Sequence, residues 1–501
     1  MKKLLALLLI IPFLFLVTCE EDPIDDPPVD KPPVDDPYVP GWNDDVLTEK
    51  YGKEFGWDSA SLGALKAPIE HNMLAEEYFF AKGLNAGWNL GNTYDLGSNP
   101  RVATGHYDKL FAGVKAAGFN VLRLPVSWGS TFNNTTNPNA VSDWLDQIEQ
   151  TVTLAHAAGL VVFVNTHHDK GYFSLDQAGA SYKEAGDAGT AFINMSFRFE
   201  NVWRHIAERF KDYGDWLLFE PINEPTIGNP PNWDGAPPEY HEVLNRWNQL
   251  FVETVRETGG NNEKRYLIFK SYAGKLQPWL DTSNGYRLPE DPAGTGRLVY
   301  SFHSYVPQPL GLEGQGYAWT RTHLNSYTSM FKQVSDAFIL KGIPVFMGET
   351  GATFHSQRFN DLGSSVVARQ TESTDANNNR LLLLNGLGHE ARRFGVIPVL
   401  WDNGEATRGA GQNQPNGETF ALFRRKVEHD NDPNNWGKPI DHTILNGGSN
   451  HPGFTTGGAA MNAGNAARDD ADFGVRTIEA FIDAINGRTK LGEPRFDPKV
   501  E

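Results

Sequence analysis

One short seam recurs along this chain and restricts its fold more than any other feature. A helical stretch ends in glycine and passes directly into a run of apolar strand formers. It reads Ala117-Gly118-Phe119-Asn120-Val121, then Ala158-Gly159-Leu160-Val161-Val162, and returns as Lys341-Gly342-Ile343-Pro344-Val345 and Phe394-Gly395-Val396-Ile397-Pro398-Val399. Glycine just past a helix fits the left-handed cap, where a Cβ is penalised. The rhythm marks eight candidate strands, at 84–91, 121–128, 161–167, 217–223, 266–272, 298–305, 344–349 and 398–402. Strands alternating with amphipathic helices predict a parallel sheet of the α/β class, and eight of them predict a closed (β/α)8 TIM barrel. The rival is an open doubly wound sheet, but no Gly-rich phosphate-binding fingerprint follows an early strand. A chain of 501 residues can hold such a barrel as one domain with extensions.

The extensions are legible at the N-terminus. Lys2-Lys3 precedes an apolar run from Leu4 to Val17. At ~1.5 Å per residue that run is too short for a ~30 Å hydrocarbon core, so residues 1–18 read as a signal peptide. Leu16-Val17-Thr18-Cys19 resembles a bacterial lipobox, and Cys19 is the only cysteine in the chain. The resemblance implies lipidation at Cys19 and a membrane anchor, hence an extracytoplasmic lipoprotein of the outer membrane. Residues 19–45 form an acidic, Pro-rich linker with seven prolines and ten acidic residues against one lysine. Like charges and prolines keep such a segment extended. Residues 46–501 then form the barrel domain, opened by a helical cap on its floor and carrying a long loop after strand eight. The net charge of −18 argues against nucleic acid as a partner. A single cysteine excludes an internal disulfide or a Cys-based metal site, and the expected state is a monomer.

Chemistry in a barrel belongs at the carboxyl ends of its strands. These ends carry Trp88 to Asn92, Arg123 to Trp128, His167-His168-Asp169, Asn223-Glu224, Lys270 with Tyr272, His303 with Tyr305, Glu349, and Trp401-Asp402. Glu224 and Glu349 close strands four and seven, on opposite walls, so their carboxylates face each other across the mouth. Glycoside cleavage needs that pair: one acid protonates the leaving oxygen, and the other carboxylate attacks the sugar or activates water. No GxSxG motif is present, which disfavours a serine hydrolase.

Asn223-Glu224-Pro225, Gly348-Glu349, Gly87-Trp88-Asn89-Leu90-Gly91-Asn92-Thr93, Leu122-Arg123-Leu124-Pro125, Asn165-Thr166-His167-His168-Asp169 and His303-Ser304-Tyr305 stand in the order of glycoside hydrolase family 5. The chain resembles that cellulase family over roughly residues 80–405. The resemblance implies a retaining barrel with Glu224 as acid/base and Glu349 as nucleophile. It implies that Asn223 holds the sugar 2-hydroxyl, and that Arg123 and Tyr305 keep the nucleophile ionised and oriented. It also implies that His303 sits near the acid/base, that His167 and His168 line the site, and that Trp401 stacks beneath the sugar. Glu349 is followed by Thr350, where many family members carry an aromatic residue.

No cofactor or metal is expected. His167 and His168 would point to opposite faces of a strand, and no third ligand has metal spacing. Asp430, Asp432, Asn434 and Asp441 partly match a calcium loop that lacks its turn glycine. Seven tryptophans (88, 128, 233, 279, 319, 401 and 436) fall at or after strand ends and suggest a long cleft for a polymer, whereas Trp144, Trp203 and Trp247 sit in helical patterns and suggest core. The expected substrate is a β-linked polysaccharide, cleaved by an endo-β-1,4-glucanase. The same chemistry on mannan, xyloglucan, xylan or mixed-linkage glucan stays open, and so does a non-catalytic glycan-binding lipoprotein.

Overall fold

The computed structural model describes residues 65–96, 106–312, 319–353, 366–404, 420–425, 436–439 and 473–489. Cys19, the acidic linker and the candidate calcium ligands Asp430, Asp432, Asn434 and Asp441 lie outside them. Eight strands close a parallel barrel in sequence order. They are β1 Gly87–Leu90, β2 Val121–Leu124, β3 Val161–Asn165, β4 Leu217–Glu220, β5 Leu267–Phe269, β6 Leu298–His303, β7 Val345–Thr350 and β8 Val396–Asp402. Every residue of these strands is buried, as expected of a parallel sheet covered on both faces. The barrel closes between β1 and β8, where Gly87 lies opposite Val399. A Cβ on Gly87 would come within 2.7 Å of the Val399 side chain, so this seam requires glycine.

The seam glycines behave as the sequence predicts. Gly118, Gly159, Gly342 and Gly395 take φ of 108°, 85°, 79° and 76°. The main outer helices are α1 Ala75–Ala81, α2 Tyr107–Ala116, α3 Ala140–Ala157, α4 Thr190–Phe210, α5 Pro238–Glu257, α6 Arg321–Ala337, α7 Val366–Phe394 and α8 Phe473–Ile485. None of the helices among the described residues is long and apolar enough to cross a membrane. The pattern is not strictly alternating: β5 is followed only by short turns, the four-residue helix Gln277–Leu280 among them. The sequence there is rich in Gly, Pro, Asn and Asp, which break helices.

The floor is sealed by α1. Tyr78 stacks on Tyr266 with centroids 4.8 Å apart, and Phe79 meets Phe346 at 5.1 Å. These rings join Val121, Phe163, Leu218, Ile268 and Val399 in one apolar cluster. At the other end of the chain, α8 closes the helical layer. Phe481 stacks on Phe119, and a Cβ on Gly118 would meet Ile482 at 2.8 Å. Part of the long segment after β8 returns to the barrel. Arg425 is fully buried and donates to Thr93 Oγ1, Gly91 O and Asp402 O. Residues 420–425 are therefore a brace behind β1 and β8.

Two irregularities prepare the site. Register shifts fall at Phe302/His303 in β6 and between Met347 and Thr350 in β7. Such shifts re-aim side chains at strand ends, and here they act where His303 and Glu349 leave the sheet.

Candidate active site

Arg123 is the organising residue. It rises from the interior of β2 with no exposed surface and distributes its guanidinium over four partners. Nε donates to Glu220 Oε2 at 2.8 Å, and Nη1 donates to Glu349 Oε1 at 2.6 Å and to Asn89 Oδ1 at 3.2 Å. Nη2 donates to Asn223 Oδ1 at 2.8 Å. A buried guanidinium is tolerable only when its donors are matched in this way. The arrangement ties β1, β2, β4 and β7 to one cation, and so holds Glu349 and Asn223 in fixed positions.

Glu349 is held from its second oxygen as well, where Tyr305 Oη donates to Oε2 at 3.1 Å. Its side chain is 7 % exposed. Glu224 lies on the loop just past β4, and its side chain is 23 % exposed toward the mouth. His303 Nδ1 is 2.8 Å from Glu224 Oε1 and 3.7 Å from Glu349 Oε2. Single ligating atoms of Glu224, His303 and Glu349 all lie within 4.8 Å of one another. Burial, reinforced by the negative charge of Glu349, pushes the Glu224 carboxyl up to about 8. Burial, with Lys270 and Arg123 adding positive charge, holds His303 well below the usual imidazole range, so it is neutral. One carboxyl is thus kept protonated beside another held in an ion pair, the environment split that separates acid from nucleophile.

The loops beneath these groups are under strain. Ala273 takes φ 54° and ψ 16°, a left-handed conformation that costs a non-glycine residue ~1 kcal/mol. Its N–H donates to Pro225 O at 2.9 Å, which docks the turn after β5 under the Asn-Glu-Pro loop. A Cβ on the neighbouring Gly274 would meet Glu224 Cγ at 3.3 Å and His303 Nδ1 at 3.4 Å.

His167 is buried, and its Nε2 is 3.3 Å from Asn223 Nδ2. Trp401 is 8 % exposed and runs parallel to the His167 ring, with 6.0 Å between centroids and 5° between planes. His168 is exposed beside it. The expectation that these histidines point to opposite faces is corrected. β3 ends at Asn165, strand alternation stops there, and the two rings lie 4.3 Å apart. A third group is present as well, since ligating atoms of Asp95, His167 and His168 lie within 4.8 Å of one another. Both Asp95 oxygens already accept backbone N–H groups, from Thr93 at 2.7 Å and Asn92 at 3.0 Å.

The tryptophans are the larger correction. Trp88 and Trp128 are fully buried, their indole N–H groups committed to Asp402 Oδ2 and Asn165 O at 3.0 Å each. Trp436 is buried against His106, Trp279 packs outside the barrel on Phe269 and Phe338, and Trp319 packs on α6 and α7. Only Trp401 and the 43 % exposed Trp233 keep a place in a mouth cleft. Trp144, Trp203 and Trp247 are core, as their helical spacing predicts.

Sequence reasoning gave Glu220, Lys270, Asn89 and Ser301 no role. Glu220 Oε1 accepts from Ser301 Oγ at 2.9 Å and Lys270 Nζ at 3.1 Å, and Asn89 Nδ2 donates to Gly348 O at 3.0 Å. The available signal was a polar residue within an apolar strand for Asn89, Glu220 and Ser301, and one directly after a strand for Lys270.

The model of the cellulase family, glycosyl hydrolase family 5, matches residues 87–404, the span that contains the barrel and every one of these strand ends. Endoglucanase A of Ruminococcus albus is 30 % identical over 359 residues, covering 69 % of this chain and 86 % of its own. A GH5-4 broad-specificity endoglucanase from Ruminococcus champanellensis with bound cellotriose aligns with a TM-score of 0.57 at 26 % identity, over 71 % of this chain and 94 % of that one. A Bacteroides ovatus GH5 xyloglucanase in complex with a XXXG heptasaccharide aligns with a TM-score of 0.58 at 25 % identity, over 83 % of this chain and 78 % of that one. By the extent of the family match and the closed barrel beneath it, the chain belongs to glycoside hydrolase family 5 and is a glycoside hydrolase of the cellulase type.

Proposed function

We propose that the protein is a retaining endo-β-1,4-glucanase with Glu224 as acid/base and Glu349 as nucleophile. The carrying observation is the asymmetry of the pair: Glu349 is clamped by Arg123 and Tyr305, while Glu224 faces a neutral imidazole and is pushed up to about 8. Their close approach supports retention, which uses carboxyl groups ~5–5.5 Å apart, over inversion, which needs ~6.5–9.5 Å to admit water.

The steps follow from these positions. Glu224 gives its proton to the glycosidic oxygen as that oxygen leaves the anomeric carbon. The Glu349 carboxylate forms the new bond to the same carbon, giving a glycosyl ester and a shortened glycan. Esterification removes the negative charge beside Glu224, so its proton affinity falls and it becomes a base. It then takes a proton from water as the water oxygen attacks the anomeric carbon, the ester bond breaks, and β-configuration is restored. Asn223, fixed by Arg123, is placed to hold the 2-hydroxyl. His167, His168 and Trp401 line the sugar site.

Xyloglucan is the second reading of substrate, favoured by the likeness to the B. ovatus xyloglucanase. Reducing-end release on carboxymethylcellulose, mixed-linkage glucan, xyloglucan, mannan and xylan separates the readings. Glu224→Gln and Glu349→Gln should each abolish turnover on whichever backbone is cleaved. Retained affinity with no turnover in the unaltered protein would favour a glycan-binding lipoprotein instead. Anchorage at Cys19 belongs to the same proposal, and incorporation of labelled palmitate that a Cys19→Ala change abolishes tests it.

A further inference from the structure

Lys270 is a buried amine that the double displacement above does not use. It stands at the end of β5, directly after Phe269, and is 1 % exposed. Its Nζ is 3.1 Å from Glu220 Oε1 and 2.7 Å from His303 Nε2. The opposite nitrogen of that imidazole is 2.8 Å from Glu224 Oε1. One file of groups therefore runs from the buried carboxylate through the lysine and the histidine to the acid/base.

A neutral imidazole has one N–H and one lone pair, so the partner of one nitrogen decides the state of the other. An ammonium has three donors and no acceptor. If Lys270 is charged, His303 Nε2 can only accept, which leaves the proton on Nδ1. Nδ1–H then donates to Glu224 Oε1. That oxygen is occupied as an acceptor, and the carboxyl proton is left on Oε2, free of the histidine. With an uncharged partner at position 270, Nε2 could carry the proton. Nδ1 would then accept the Glu224 proton and hold it back from the glycosidic oxygen.

Charge counting favours the ammonium. Glu220 and Glu349 bring two negative charges beneath the mouth, and Arg123 with Lys270 supplies two positive ones. Without the lysine charge the buried set would carry a net negative charge, which a low-dielectric interior penalises. The fit is close as well. A Cβ on Gly348 would come within 2.6 Å of Ser301 Oγ and 3.3 Å of His303 Nε2, so the imidazole has little room to turn away from Lys270.

We propose that Lys270 is a positioning residue for proton donation: its ammonium fixes His303 as the Nδ1–H tautomer and so directs the acid proton of Glu224 to Oε2. The inference rests on Glu224 being the acid/base, and its test separates the two. Lys270→Met is suited to it, because Glu220 keeps Arg123, Asn165 and Ser301 as partners. kcat/KM is measured for the full chain on its β-glucan and on 2,4-dinitrophenyl β-cellobioside, whose leaving group needs no acid. Lys270→Met should lower kcat/KM on the polysaccharide by ~100-fold, the lower end of general-acid contributions, and on the activated glycoside by only a few-fold. Glu224→Gln should show the same selectivity more strongly. If Glu224→Gln shows none, the acid/base assignment fails. If Glu224→Gln shows it and Lys270→Met lowers both substrates equally, Lys270 only packs and the proposal fails alone. A measurement on the unaltered protein stands apart from the folding of any variant. With 15N-labelled histidine, the His303 resonances, identified by their absence in His303→Asn, should report a protonated Nδ1 and a bare Nε2. The reverse pattern overturns the proposal.

Discussion

Removing the negative charge of Glu349 without changing its shape should lower the proton affinity of Glu224 by a calculable amount. Ligating oxygens of the two residues lie within 4.8 Å. At that separation and an effective dielectric of about 20, two like charges repel by about 3.5 kcal/mol, or about 2.5 pKa units. Glu224 opens to solvent over 23 % of its side chain, which screens part of that repulsion. A fall of about 2 units in Glu349→Gln is therefore expected. Burial is the larger cause of the elevation and remains, so Glu224 should still titrate above an ordinary glutamate. The assay is 13C NMR of protein labelled at glutamate carboxyls, with the Glu224 signal identified by its absence in Glu224→Gln. A Glu224 midpoint unchanged by Glu349→Gln would refute the coupling, and with it the account of how the acid becomes a base after the first step.

Other outcomes follow from the same geometry. Since Glu224 must be protonated to act as acid, kcat/KM should fall as pH rises through about 8 in a pH-rate profile. Arg123→Met removes the cation shared by buried Glu220 and Glu349 and should cost ~3–5 kcal/mol in denaturant unfolding, with Glu349→Gln in the same background recovering part of the loss. Gly348→Ala forces a Cβ toward Ser301 and His303. It should lower kcat more than 10-fold while costing only ~1–3 kcal/mol of stability. Trp88→Phe strips a donor from buried Asp402 and should lower the melting temperature with KM unchanged, whereas Trp401→Ala should raise KM.

Local rules made much of the barrel legible. Gly118, Gly159, Gly342 and Gly395 announced their left-handed turns because no other residue occupies them cheaply. Polar residues ending apolar strands announced the mouth, and Arg123, Asn223, Glu224, His303, Tyr305 and Glu349 do converge there. What failed was the direction of particular side chains, the tryptophans and the histidine pair. An indole placed after a strand can stack on a sugar or bury its N–H against a carboxylate, and spacing does not distinguish the two. Trp88 and Trp128 took the second course because Asp402 and Asn165 offered acceptors from neighbouring strands. The histidine pair was misread because strand alternation was carried past Asn165, where the strand stops. Glu220 ends β4 and Lys270 directly follows β5, 50 positions on, and only the pairing of β4 with β5 brings their charges together.

The central claim is that Glu349 attacks the sugar while Glu224 donates the proton. Incubation with 2-deoxy-2-fluoro-β-cellobiosyl fluoride, whose glycosyl ester turns over slowly, followed by peptide mass spectrometry, tests it most directly. A single 2-deoxy-2-fluoro-cellobiosyl adduct on the peptide carrying Glu349, absent in Glu349→Gln, is the predicted result. An adduct on Glu224, or inverted α-configured product from the natural glycan, would contradict the account.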